Sequence, residues 1–131
     1  MKKLHTDNLN YKFSKEIKPL LKIKSGERVK IDTLDCYNEL LIDGKTRRSE
    51  IDSNKINPIS GPIYIDKAYP GDILEIKIED IEVKDRGVMT SKPGMGLLGN
   101  KVELEDSKLI KIKEGKLIFS EDIKLDIDPM I

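Results

Sequence analysis

Leu74-Glu75-Ile76-Lys77-Ile78-Glu79-Asp80-Ile81-Glu82-Val83 alternates apolar and charged residues. Successive side chains on a strand point to opposite faces, so this pattern predicts a half-buried strand with one solvated side. The same alternation recurs in Leu21-Lys22-Ile23-Lys24, Val29-Lys30-Ile31-Asp32 and Leu109-Ile110-Lys111-Ile112-Lys113. Turn residues separate these windows at Ser25-Gly26-Glu27, Asp43-Gly44, Pro70-Gly71-Asp72, Asp85-Arg86-Gly87 and Glu114-Gly115-Lys116. The last of these predicts a hairpin joining 108–113 to 116–119. No window of about eleven residues or more keeps a helical period, so the longest helix expected is a turn around 51–55, ended by Asn57-Pro58. The expected fold class is all-β and mainly antiparallel, a β-sandwich or barrel-like domain with long loops and little helix.

The chain has 131 residues, a length that suits one domain over 1–131. Lys+Arg and Asp+Glu are both 24, so no basic excess points to a nucleic-acid partner. The charges interleave with Ile, Leu and Val, as on strands with a solvated face. Cys36 is the single cysteine and excludes an internal disulfide. Met1-Lys2-Lys3 is not followed by the apolar run of a signal peptide, so a cytoplasmic location is expected. No apolar stretch approaches the roughly 18–20 residues that span a bilayer, and no membrane partner is expected.

Two stretches resist the strand reading: residues 36–62, with the polar run Asp43–Glu50, and residues 91–100. Long irregular loops in a compact domain tend to be functional or disordered. Within the first, Arg47-Arg48 reads as a solvated loop. At the C-terminus Ile123–Asp128 alternates and then meets Pro129-Met130-Ile131, an apolar end without a polar tail that suggests a missing continuation. An unpaired strand there would favour self-association into a homo-oligomer.

Few residues could carry chemistry. Thr33-Leu34-Asp35-Cys36 closes the strand predicted around 28–34, and alternation puts Thr33 and Asp35 on one face, Leu34 and Cys36 on the other. If Leu34 faces the core, Asp35 faces outward, where a carboxylate can bind a divalent cation, hold a water as base, or simply cap a turn. A Cys36 nucleophile would need a base, and His5 is the lone histidine, so Cys36 reads as buried and His5 as an edge-strand residue. Gly94-Met95-Gly96-Leu97-Leu98-Gly99 matches a dinucleotide-binding pattern. It lacks the βαβ context, so no nucleotide cofactor is expected, and its glycines instead let the backbone pass close to another segment or a ligand. Asn57-Pro58 and Gly61-Pro62 make a stiff loop, either positioning a site or forming a structural corner, and either proline could be cis.

Seven segments in order resemble the acetamidase/formamidase family: Tyr11–Ser14, Lys24–Val29, Thr33–Cys36, Asn57–Ile65, Tyr69–Leu74, Pro93–Gly99 and Asp128–Ile131. The resemblance implies hydrolysis of short linear amides such as formamide or acetamide to a carboxylic acid and ammonia, assisted by a divalent metal, zinc or calcium. It implies Asp35 as metal ligand or water-holding base, with Asn57, Gly61 and Pro62 shaping the substrate site. It also implies a further C-terminal half or complementary subunit, bearing the histidine, asparagine and acidic residues these positions lack. The alternative is a non-catalytic β-rich interaction or relic domain from a split or truncated gene.

Overall fold

A computed structural model of the chain describes residues 1–128. Its strands, in chain order, are β1 (Lys2–Leu4), β2 (Leu9–Asn10), β3 (Leu21–Ile23), β4 (Val29–Ile31), β5 (Ile59–Ser60), β6 (Ile63–Ile65), β7 (Arg86–Ser91), β8 (Asp106–Lys113), β9 (Lys116–Ile118) and β10 (Lys124–Asp126). Helix among the described residues is limited to 3-10 turns at Arg48–Glu50, Ser53–Lys55 and Gly99–Lys101. The protein is therefore β-rich, with the second turn close to the one expected at 51–55.

The chain gathers into two compact units, one of residues 1–38 and 53–80, the other of residues 39–52 and from Ile81 onward. The first holds three two-stranded sheets: β1 with β4 in parallel, β2 with β5 antiparallel, and β3 with β6 in parallel. Period-two sequence does not specify a partner, so the two parallel pairs were not foreseen. Leu4 is the buried apolar residue of this unit. The register Leu4↔Ile31 brings the segments following β1 and β4 side by side.

The second unit is an antiparallel sheet in the order β10-β9-β8-β7. Glu114 and Gly115 join β8 to β9 with φ of 52° and 71°, the two positive values of a type I′ hairpin turn. The hairpin expected at Glu114-Gly115 thus forms as read. Leu41 and Ile110 are its fully buried side chains. The loop bearing Leu41 lies along β8, where a Cβ on Gly44 would sit 3.3 Å from Leu109 Cβ.

The opening stretch departs from expectation. Residues 72–84 join no ladder among the described residues, and Leu74, Ile76, Ile78 and Ile81 are 59%, 74%, 72% and 72% exposed. The apolar phase also slips: Ile78 to Ile81 is a step of three residues, and the boundary between the units falls between Asp80 and Ile81. Strand propensity is present here, but a strand needs a neighbour to pair with.

The Gly94–Gly99 match closes upon itself. Gly94 N–H donates to Gly99 O at 2.9 Å, and a Cβ on Gly99 would lie 2.6 Å from the Gly94 carbonyl carbon. Here the glycines allow backbone to approach backbone, as the sequence suggested. Ile123–Asp128 contributes β10, whereas Pro129-Met130-Ile131 lies outside the described residues.

Candidate functional site

Three chain segments of the first unit converge on one groove. The residues after β2 supply Tyr11, Lys12 and Phe13, those after β4 supply Leu34, Asp35 and Cys36, and those leading into β5 supply Asn57, Pro58 and Ile59. The β2–β5 register Asn10↔Ile59 sets the first and third segments opposite each other. Ser60 Oγ donates to Asp32 O at 2.8 Å and Asn57 N–H donates to Cys36 O at 2.7 Å, which ties the third segment to the second. The resulting groove has a volume of about 450 Å³. A neighbouring groove of about 640 Å³ shares Tyr11, Lys12 and Asn57 and extends over Asn10, Ile17 and the turn at Ser53–Asn54.

Asp35 is exposed, as is Thr33, while Leu34 is half-buried, in line with the alternation read from sequence. One Asp35 oxygen, Oδ1, accepts from Tyr37 N–H at 2.9 Å, and Asp35 O accepts from Asn38 N–H at 3.0 Å. The carboxylate therefore caps a turn and borders the groove at once. The turn continues through Asn38 and Glu39 with φ of 56° and 57°. Asn38 Nδ2 donates to Tyr11 Oη at 3.0 Å, fixing the phenol at the groove rim.

Cys36 is exposed rather than buried. Its predicted position assumed that alternation continued past β4, but the ladder ends at Ile31 and the chain turns from Cys36 onward. His5 is exposed immediately after β1, where the parallel register sets it opposite Asp32; its Nδ1 lies 3.1 Å from Asp32 Oδ2, which Lys3 Nζ approaches at 3.2 Å. The Lys3 ammonium, and His5 after it, hold the Asp32 carboxyl below its ordinary value.

Asn57 lines both grooves with φ of 53°, and its backbone N–H is the clamp on Cys36. Gly61 and Pro62 flank neither groove among the described residues. The peptide bond between them is cis, Gly61 has φ of 129°, and Gly61 O accepts from Asn10 Nδ2 at 2.7 Å. Pro62 O accepts from Leu20 N–H at 2.9 Å, so this corner fixes the segments entering β3 and β6. The structure thus brings Asp35 and Asn57 together in one groove, whose lining does not include Gly61 or Pro62. Sequence reasoning assigned no role to Tyr11, Lys12 and Phe13; their signal was present only as a run quoted for family resemblance.

A metal needs about three protein donors. Among the described residues no group of three or more His, Cys, Asp and Glu side chains is placed to hold one. The groove combines a carboxylate, a thiol, a carboxamide, a phenol and an ammonium. Such a set can orient a small polar molecule, but it does not make a metal centre without further donors.

A family model of the acetamidase/formamidase family matches residues 1–125. The chain belongs to the acetamidase/formamidase family. Family resemblance extends to three dimensions. The crystal structure of an acetamidase from Bacillus halodurans superposes with a TM-score of 0.92 at 35% identity, over 95% of this chain and 42% of that one. That of a "predicted acetamidase/formamidase" from Thermoanaerobacter tengcongensis gives 0.90 at 39% identity, with the same two coverages. A Schizosaccharomyces pombe protein named "Putative formamidase" is 28% identical over 99 residues, 70% of this chain and 24% of the yeast one. The chain thus spans less than half the length of these family members. Among the described residues no helix is long and apolar enough to cross a membrane.

Proposed function

We propose that this chain forms one part of an amidohydrolase that cleaves short linear amides such as formamide and acetamide to a carboxylate and ammonia. The observation that carries this reading is the family match over residues 1–125 coinciding with a groove in which Asp35 and Asn57 meet. Asp35 is the groove's carboxylate and the group suited to hold a water or to accept the N–H of a bound amide. Asn57, Lys12 and Tyr11 offer donors to a carbonyl oxygen. Asn57 also shapes the groove through its backbone bond to Cys36, and the Gly61-Pro62 corner does so through Gly61 O, which holds Asn10 beside Tyr11.

The site is completed by residues from the part of the family fold that this chain does not span. If a zinc or calcium ion takes part, Asp35 would be one ligand and the remaining donors would come from that part. Assembly with it, as a continuation or as a complementary subunit, belongs to the same reading, as do a homo-oligomer and a cytoplasmic location. The lack of a three-donor cluster among the described residues favours the rival reading, a non-catalytic interaction domain, for the chain acting alone.

Asp35→Asn provides the test. In this chain co-expressed with the unmatched part of the Thermoanaerobacter tengcongensis protein, ammonia release from formamide is expected to fall at least about 100-fold in Asp35→Asn, as for loss of a catalytic base. Cys36→Ala is expected to leave the rate within about twofold, since no thiol nucleophile is invoked. An Asp35→Asn complex of undiminished rate would remove Asp35 from the chemistry.

A further inference from the structure

Residues 73–79 alternate like a strand in sequence, are held at both ends and join no ladder among the described residues. The Pro70-Gly71 turn precedes it, with Gly71 at φ 99°, Asp72 N–H donating to Tyr69 O at 3.1 Å and Tyr69 N–H donating to Asp72 Oδ2 at 2.8 Å. At its far end Glu79 Oε2 accepts from Arg28 Nε at 2.7 Å and lies 2.5 Å from Arg28 Nη2. Between these ties, Leu74, Ile76 and Ile78 form one apolar row, all more than half exposed, alternating with Glu75 and Lys77. No backbone hydrogen bond joins residues 73–79 to another described residue.

Such a segment presents main-chain donors and acceptors together with an apolar row, the two components of strand addition. We infer that residues 73–79 are the docking strand for the part of the acetamidase/formamidase fold that this chain does not span, which adds a strand along it and covers Leu74, Ile76 and Ile78.

Of two observations, the first favours that occupant over a second copy of the chain, and the second bears only on how much surface an occupant would cover. The first is that 95% of this chain superposes on solved acetamidases of which it covers only 42%, so the same fold occurs there beside a larger body of chain. The second is area. The chain exposes 10981 Å². A compact monomer of 14.9 kDa exposes about 7000 Å², and even two free-standing domains of half that mass expose about 8500 Å² together. The excess of roughly 2500 Å² is larger than one side of a standard interface, about 800 Å², and suits an obligate one.

The identity of the occupant rests on the function proposed above, and the experiment separates the two. The chain is co-expressed with the unmatched part of the Thermoanaerobacter tengcongensis protein, and hydrogen exchange is followed at 73–79 in the lone chain and in the co-purified complex. Fast exchange is expected in the lone chain and exchange slowed at least about 100-fold in the complex. The double substitution Ile76→Lys with Ile78→Lys, at positions 74% and 72% exposed, is expected to leave the circular dichroism of the lone chain unchanged while weakening association at least about tenfold. Failure to co-purify, a complex with 73–79 unprotected, or protection already present in the lone chain would each overturn the inference, the last showing that the chain or a second copy covers the strand. Ammonia release is read on the same samples: a complex with protected 73–79 and no hydrolysis leaves the docking strand standing and removes the amidase reading, whereas hydrolysis without protection does the reverse.

Discussion

Asp43 accepts hydrogen bonds from Lys45 N–H at 2.9 Å, Thr46 N–H at 2.9 Å and Thr46 Oγ1 at 2.7 Å. Stabilisation of the charged form by these donors, led by the Lys45 amide, lowers its carboxyl from 3.8 to about 2. Because the folded value is depressed, the contribution of this turn to stability is present above the unfolded value near 3.8 and is lost as the pH falls through about 2. A carbon-detected NMR titration should place the Asp43 midpoint near 2; a midpoint near 3.8 would mean that the turn does not hold the carboxylate. Ser107 is the opposite case, 4% exposed with an Oγ that has no hydrogen-bond partner among the described residues. An unpaired buried hydroxyl costs about 1–3 kcal/mol, so Ser107→Ala should stabilise the chain or leave it unchanged, which the urea midpoint will report. A loss of about 1 kcal/mol would reveal a partner for the hydroxyl. Residue chemistry was only partly legible in the sequence. Asp43-Gly44 announces its turn and Asp35 its outward face, but the exposure of Cys36 depended on where β4 stops. That point is set by pairing with β1, which local pattern does not carry.

Elements with local causes were read well. The β8–β9 hairpin follows from Glu114-Gly115 between two alternating runs, and the glycines of 94–99 follow from a loop that must fold back on itself. At Gly99 the requirement is steric, since a Cβ would lie 2.6 Å from the Gly94 carbonyl carbon. Gly99→Ala is therefore expected to destabilise the chain by about 1–3 kcal/mol, the usual cost of overpacking, measured as a lower urea midpoint. A midpoint equal to that of the parent would show that the loop can open without cost. Elements with non-local causes were not legible. The parallel pairs β1–β4 and β3–β6 join segments far apart in the chain, and no window of sequence states that pairing. Residues 74–83 show the same limit from the other side: they alternate over 74–78 before the phase slips, yet they form no strand among the described residues because no neighbouring strand meets them.

At the scale of the molecule, buried apolar side chains are few. Leu4 in one unit, with Leu41 and Ile110 in the other, are the buried apolar residues among those described, while Ile73, Leu74, Ile76, Phe13 and Leu97 are among those left exposed. This distribution accords with the docking strand proposed above, and the chain spans less than half the length of the solved acetamidases on which it superposes. In the candidate site Asp35 and Asn57 meet in a groove, and among the described residues no group of three or more His, Cys, Asp and Glu side chains is placed to hold a metal. The sequence could show the family through its ordered motifs, and the outward carboxylate through alternation. It could not show which surfaces would remain open, because exposure depends on how distant segments pair, which no local window states. The most direct measurement is ammonia release from formamide and acetamide by the lone chain and by the same chain co-expressed with the unmatched part of the Thermoanaerobacter tengcongensis protein. The account predicts no release above the blank from the lone chain and sustained release from the complex; full activity in the lone chain, or an intact complex that releases none, would contradict it.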